Sequence, residues 1–265
     1  MKRLRFTYNA DSRENGIAVR HRDGHPWELH LPSLERLHIK CEQAICPLLE
    51  YAVLPPYMES ITLYMMSADY LDMASVVLPE TKRLSLRVSS FFPGDPSAFP
   101  AINRILKNAC GSEVLELKIE DEMLRVGPES ITCTALTHLR VKAPTSVDAM
   151  LAIIRALPNL VELTLKDLDL SDIQVDVAIT EADKGAAVEP LHSSLQSLNI
   201  DLSGSRRKQV SVRAVAVLKY MLLRIPTLAR VYSAEIPKEP VLDFVGAYAP
   251  RYPRLSSVVL NLYGR

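Results

Sequence analysis

Residues 31–40 read LPSLERLHIK, and residues 157–166 read LPNLVELTLK. Both spell L-P-x-L-x-x-L-x-[LI]-K, and IPTLARVYS (225–233) and YPRLSSVVL (252–260) are looser copies. Once this register is fixed, ten segments fit apolar-x-x-apolar-x-apolar or come close. They begin at Met1, Leu34, Met58, Thr81, Val114, Leu136, Leu160, Leu195, Leu228 and Leu255. Their central positions are Leu4, Leu37, Ile61, Leu84, Leu117, Leu139, Leu163, Leu198, Val231 and Val258. Thr81 at a first position and Ser233 at a last one break the apolar rule. The first positions lie 22 to 35 residues apart. One motif recurring at such a period predicts a solenoid of stacked units, because a single unit cannot bury its own apolar face.

The end of each motif alternates apolar and polar, as a half-buried strand does. Between motifs the period turns helical. Ile45, Leu48, Leu49 and Ala52 make one apolar stripe, and Ile102, Ile105, Leu106 and Ala109 another, stopped at Gly111. Val147, Met150, Leu151 and Ile154 follow Thr145, with Asp148 three residues on, which predicts a capping box at Thr145. Val215, Leu218, Leu222 and Ile225 follow Ser211, a candidate N-cap. Proline stands two residues before the first motif position six times, at Pro32, Pro56, Pro79, Pro158, Pro226 and Pro253. Proline cannot donate to a helix ladder and disfavours helix in the residue before it. Each one is therefore expected to end a helix and release the chain into the next strand.

The L-x-x-L-x-L core with a helix per repeat resembles leucine-rich-repeat proteins. The long, variable repeats resemble the irregular type of F-box and related substrate adaptors, fungal ones in particular. The resemblance spans nearly the whole chain. It implies an α/β horseshoe, with parallel strands on the concave face and helices on the convex face. It also implies a single leucine-rich-repeat domain over 1–265, made of about ten irregular repeats. One departure stands out. The Asn or Cys usual three residues after the last leucine is replaced by Glu42, Met66, Ser89, Glu122, Pro144, Leu168 or Ser203. The asparagine ladder is missing, and the turns must satisfy their backbone groups differently. No F-box module precedes the first repeat and neither end carries an obvious polar cap, which predicts a fragment of a longer protein. A role as a ubiquitin-ligase adaptor is what the resemblance implies, by analogy of fold.

The stretch HRDGHPWELH (21–30) concentrates three of the six histidines with the only tryptophan. Asp23-Gly24 predicts a tight β-hairpin over residues 17–31. In that ribbon His21 and His25 point to opposite faces, so they do not converge on a metal, and Arg20 faces Trp27 as a cation–π pair. The H-R-D triplet lacks the Gly-rich loop, the downstream Asn and the D-F-G of a kinase. Residues 166–193 read as an acidic loop insertion, with Asp167, Asp169, Asp172, Asp176, Glu181, Asp183 and Glu189 against Lys166 and Lys184. Its first acids lack the glycine and the terminal glutamate of a calcium loop. SGSRRKQ (203–209) reads as a second solvated loop.

Formal net charge is zero, so no global field steers the chain toward nucleic acid or an anionic membrane. The N-terminus lacks the apolar run of a signal peptide, and no stretch reaches the roughly 18 apolar residues of a membrane span. Cys41, Cys46, Cys110 and Cys133 form no C-x-x-C pair and read as reduced thiols, in a cytoplasmic or nuclear protein. There is no G-x-S-x-G, no H-E-x-x-H and no phosphate loop. The expectation is a non-enzymatic module with no cofactor and no metal.

If the motif leucines point inward, the residues between them point out. Across the thirty outward positions of the ten motifs stand eleven Lys or Arg and four Asp or Glu, in a chain with 31 of each sign. Such a wall draws in ligands of the opposite charge. The candidate partner-binding residues are Arg36, His38, Lys40, Arg83, Arg87, Lys118, His138, Arg140, Lys142 and Lys166. The expected partner is an acidic protein or peptide. The alternative is a nucleic-acid- or phosphate-binding scaffold using the same columns, although only Tyr64 and Tyr232 offer aromatic stacking there. A third reading has the acidic insertion fold over the wall and mask it.

Overall fold

Each motif leads into a strand, and within each compact unit the motif leucines line up from strand to strand. The computed structural model describes residues 2–8, 29–41, 52–65, 78–89, 111–120, 134–170, 190–202 and 207–263. The fold is α/β with parallel strand pairing, and the chain divides into two compact units. The first is Met1–Leu124 with Glu129–Leu136, and the second is Arg125–Pro128 with Thr137–Arg265.

The first unit holds β1 (Arg3–Tyr8), β2 (Leu29–His30), β3 (Arg36–Cys41), β4 (Ala52–Val53), β5 (Tyr57–Met65), β6 (Glu80–Val88) and β7 (Val114–Ile119). β1, β3, β5, β6 and β7 pair in that order, all parallel. Leu4, Leu37, Ile61, Leu84 and Leu115 are successive partners, and so are Phe6, Ile39, Leu63, Leu86 and Leu117. From Leu37 and Ile39 onward these side chains are at most 2 % exposed. Burying each contributes roughly 1.5–3 kcal/mol. β2 and β4 form a separate short parallel ladder.

The second unit holds β8 (His138–Ser146), α1 (Val147–Ala156), β9 (Glu162–Asp169), β10 (Ser197–Asp201), α2 (Arg207–Arg224), β11 (Arg230–Pro237), α3 (Glu239–Tyr248), a 3₁₀ turn (Pro253–Ser257) and β12 (Val259–Tyr263). Its strands β8 to β12 pair in chain order, again parallel. Leu139, Leu163, Leu198 and Val231 make the buried row. α2 packs on β11 and α3, with Val215, Leu218 and Leu222 buried.

Two strands sit two residues away from the expected register. Leu84 pairs with Leu115 rather than Leu117, and Val231 pairs with Leu260 rather than Val258. Both slips keep the apolar face inward, because a slip of two preserves the alternation. VLELKI is apolar at 115, 117 and 119, and the longer β6 supplies Val88 as partner to Ile119. Near the C-terminus the 3₁₀ turn takes up Pro253–Ser257, so the strand starts later.

Four of the six prolines act through one device. Leu34, Leu160, Leu228 and Leu255 donate their N–H groups to the carbonyls of Leu31, Leu157, Ile225 and Tyr252 at 3.0–3.2 Å. Each is an x-P-x-L turn with proline at the second position, where its fixed φ suits the turn. Three helix expectations shift. The N-cap of α1 is Ser146, which accepts from Ala149 N at 3.2 Å, because Thr145 is buried and spends its hydroxyl on the Ala143 carbonyl. α2 starts at Arg207, so Ser211 lies inside it; Arg207, Lys208 and Gln209 are strong helix formers that extend it upstream. Ala52 belongs to β4, next to β-branched Val53 and ahead of Pro55-Pro56. The expected hairpin lies largely outside the described residues; its end, Leu29–His30, pairs parallel with Ala52–Val53. Of the acidic insertion, Lys166–Asp169 belong to β9, and 171–189 lie outside the described residues. Asp167 has φ 77° where one residue of β9 opposes Ala143 and Pro144 of β8, a bulge that aspartate tolerates in the left-handed region.

Without an asparagine ladder, backbone groups are satisfied from strand to strand. At the start of successive strands one carbonyl takes two consecutive N–H groups of the next strand's segment. Lys2 O accepts from Glu35 and Arg36, Glu35 O from Glu59 and Ser60, Thr137 O from Val161 and Glu162, Val161 O from Gln196 and Ser197, and Gln196 O from Ala229 and Arg230, at 2.8–3.2 Å. The motif breakers are satisfied too. The Thr81 hydroxyl donates to Arg83 O, and Ser233 donates to Glu235 Oε2.

The C-terminus of α2 is capped from the 3₁₀ turn. Arg254 donates to Ile225 O at 3.0 Å, Leu222 O at 2.9 Å and Leu223 O at 2.8 Å, placing a cation at the negative end of α2. Arg254→Met is expected to cost about 2 kcal/mol in urea unfolding, since three carbonyls lose a charged donor. Arg254→Lys should recover only part of it, because an ammonium cannot fork across three acceptors.

Candidate binding face

In the first unit the residues between the leucines face away from the core in three rows. Arg3, Arg36, Ser60, Arg83 and Val114 make one. Arg5, His38, Thr62, Ser85 and Glu116 make the next, and Lys40, Tyr64, Arg87 and Lys118 the third. Seven cations stand on these positions against one acid, Glu116. The corresponding rows of the second unit carry Arg140, Lys142, Lys166 and Arg230 against Glu162 and Asp201. The positive excess expected across the whole wall is therefore concentrated in the first unit.

Of the candidate residues, Arg36, His38, Lys40, Arg83, Arg87 and Lys118 share this face of the first unit. Arg36 Nε donates to Glu59 Oε2 at 2.7 Å, which holds the Glu59 carboxyl below its usual range, helped by Arg83 and Arg3. Tyr64 is flanked by Lys40 from β3 and Arg87 from β6, which lie 5.4 and 4.6 Å from its ring centre. Arg87 also reaches Glu120 Oε1 at 2.5 Å, and Lys118 bonds the same oxygen. His38 has its pKa lowered by burial and then by the Arg5 charge, both of which favour the neutral ring. Arg3, Arg5 and Arg83 are exposed.

The hydrogen bond from Lys118 pulls Glu120 down to about 2, and Ser89 and Arg87 act in the same direction against burial. A depressed carboxyl stabilises the fold above its unfolded value, near 4.5, and loses that contribution as pH falls toward 2. Glu120→Gln should cost about 0.5–1 kcal/mol at pH 7, the scale of an exposed ion-pair network. Chemical unfolding of both proteins at pH 7 and pH 2 checks this: the gap should narrow at the lower pH.

His138, Arg140, Lys142 and Lys166 lie on the face of the second unit. His138 Nδ1 contacts Thr137 Oγ1 at 2.8 Å, and Lys166 lies 3.8 Å from Asp201. Arg140 and Lys142 already have partners. Glu235, displaced from these rows by the irregular end of β11, has its pKa raised by burial and then by Asp201. Sequence reasoning missed Glu59 and the bracketing of Tyr64 by Lys40 and Arg87. The aligned columns carry the second signal, since the three residues occupy one row.

Among the described residues no helix is long and apolar enough to cross a membrane, and no group of three His, Cys, Asp or Glu side chains gathers as a metal site would require. No protein-family model matches the chain, and no curated protein matches it.

Proposed function

We propose that this chain is a non-enzymatic recognition module of the irregular leucine-rich-repeat kind, whose first unit binds an acidic protein partner through its basic strand face. The observation that carries the reading is the seven-to-one excess of cations on the outward rows of β1, β3, β5, β6 and β7. A face of one sign in a chain of zero net charge concentrates its field where the partner docks. In this reading the strands line the concave side of a solenoid, the setting is cytoplasmic or nuclear, and the task is substrate selection for ubiquitination. An acidic protein is favoured over nucleic acid because Tyr64, the one aromatic residue on these rows, already has cations over its ring from both neighbouring strands. A base would find no open stacking platform there.

The test is fluorescence anisotropy of the full chain with a labelled oligoglutamate peptide and with a thymidine oligonucleotide of equal charge. Arg3, Arg5 and Arg83 are reversed together to glutamate in the comparison protein. The peptide should bind the native chain, weaken steeply between about 0.05 and 0.3 M salt, and be lost on reversal. Peptide binding that ignores both salt and the reversal would refute the electrostatic face. Tighter binding of the oligonucleotide would shift the reading to a nucleic-acid scaffold.

A further inference from the structure

The centre of the basic face is built from hydroxyls. His38, Thr62 and Ser85 are consecutive partners on β3, β5 and β6, and Ser60 stands two residues from Thr62 on the same side of β5. Neighbouring strands lie about 4.8 Å apart, and same-face residues along a strand about 6.7 Å apart. These four half-buried side chains therefore form a floor under 10 Å or so across. Among the described residues the hydroxyls of Ser60, Thr62 and Ser85 make no hydrogen bond. Cations rim the floor. Arg36 and Arg83 flank Ser60, Arg5 stands beyond His38, and Lys40 and Arg87 lie on the Tyr64 side. Glu116 closes the β7 edge beside Ser85.

We infer that this hydroxyl floor is a phosphoryl-binding site, and that its ligand is an extended acidic peptide carrying a phosphoserine or phosphothreonine. The inference rests on the proposed acidic-partner face and names its chemistry. A carboxylate offers two oxygens in one plane. A phosphoryl group adds a third oxygen and up to a second negative charge. It can take hydroxyl donors from the floor while its remaining oxygens meet the guanidiniums at the rim.

The test uses the full chain and anisotropy at about 0.1 M salt. The probes are a labelled glutamate-rich peptide with one central phosphoserine, its twin with glutamate in that place, and an oligonucleotide of equal charge. The phosphopeptide should bind roughly tenfold tighter than the twin, about 1.4 kcal/mol. The combined variant Ser60→Ala, Thr62→Val, Ser85→Ala should erase that difference, the phosphopeptide losing more affinity than the twin. Arg83→Gln is the second variant, should the first lose its native circular dichroism, and it should weaken the phosphopeptide more than the twin. Equal binding of the two peptides by the native chain overturns the phosphoryl site while leaving the acidic face standing. Binding of neither peptide removes both. An oligonucleotide that outcompetes the phosphopeptide and depends on the same hydroxyls assigns the floor to nucleic acid instead.

Discussion

Replacing His192 with phenylalanine is expected to lower stability by about 3–5 kcal/mol, the largest effect of any single polar side chain described above. His192 is 6 % exposed and holds three backbone groups at once. Its Nδ1 accepts the N–H groups of Ser194 at 3.1 Å and Leu195 at 2.9 Å. That fixes the ring proton on Nε2, which donates to the Leu157 carbonyl at 2.8 Å. Leu157 is the C-cap of α1 and the first residue of an x-P-x-L turn, so one imidazole ties a helix end to the segment leading into β10. Phenylalanine keeps much of the volume and leaves two donors and an acceptor without partners. Each such loss costs about 1–3 kcal/mol, with Ser194 at the low end because it is only half-buried. Urea unfolding followed by circular dichroism measures the difference. A loss under about 1 kcal/mol would mean that water replaces the imidazole freely and that the two segments are not coupled through it.

Arg254 does the same work at the end of α2, and neither residue announces it in the sequence. His192 stands in PLHSS and Arg254 in YPRL, and their acceptors lie 29 to 35 residues upstream. Nothing local separates a capping histidine from a solvated one. The leucine rows were legible for the opposite reason. Period-two alternation is written into each motif, and Leu37, Ile61 and Leu84 are placed by it without knowledge of their neighbours. The prolines were legible as breaks ahead of the strands because proline fixes its own φ, but they were expected to end helices, whereas Pro32 and Pro56 follow β2 and β4 and four of the six build x-P-x-L turns. The candidate face was legible as a surplus of charge but not in its distribution. Counting all ten motifs together hid that the surplus sits on β1, β3, β5, β6 and β7. It also hid the hydroxyl floor, which exists only when His38, Thr62 and Ser85 stand side by side on three strands.

Truncating Leu84 to alanine is expected to cost about 3–4 kcal/mol, because the side chain is 2 % exposed between two neighbouring strands and its removal leaves a cavity. The informative experiment pairs it with a second truncation. Leu84 lies opposite Leu115, and Ile119 lies opposite Val88. A double-mutant cycle between Leu84→Ala and Leu115→Ala should show a coupling of at least about 0.5 kcal/mol, whereas Leu84→Ala with Ile119→Ala should be additive to within about 0.3–0.5 kcal/mol. Equal coupling of Leu84 to Leu115 and to Ile119 would instead restore the register expected from the motif alone, in which both lie two residues from its partner Leu117. The consequence reaches the surface. In the observed register Lys118 stands beside Arg87, where both bond Glu120, and Glu116 stands beside Ser85. Moved by two residues, Lys118 would stand beside Ser85 at the edge of the hydroxyl floor and Glu120 would take its place beside Arg87. The packing of two buried leucines thus decides whether an acid or a cation borders the phosphoryl site.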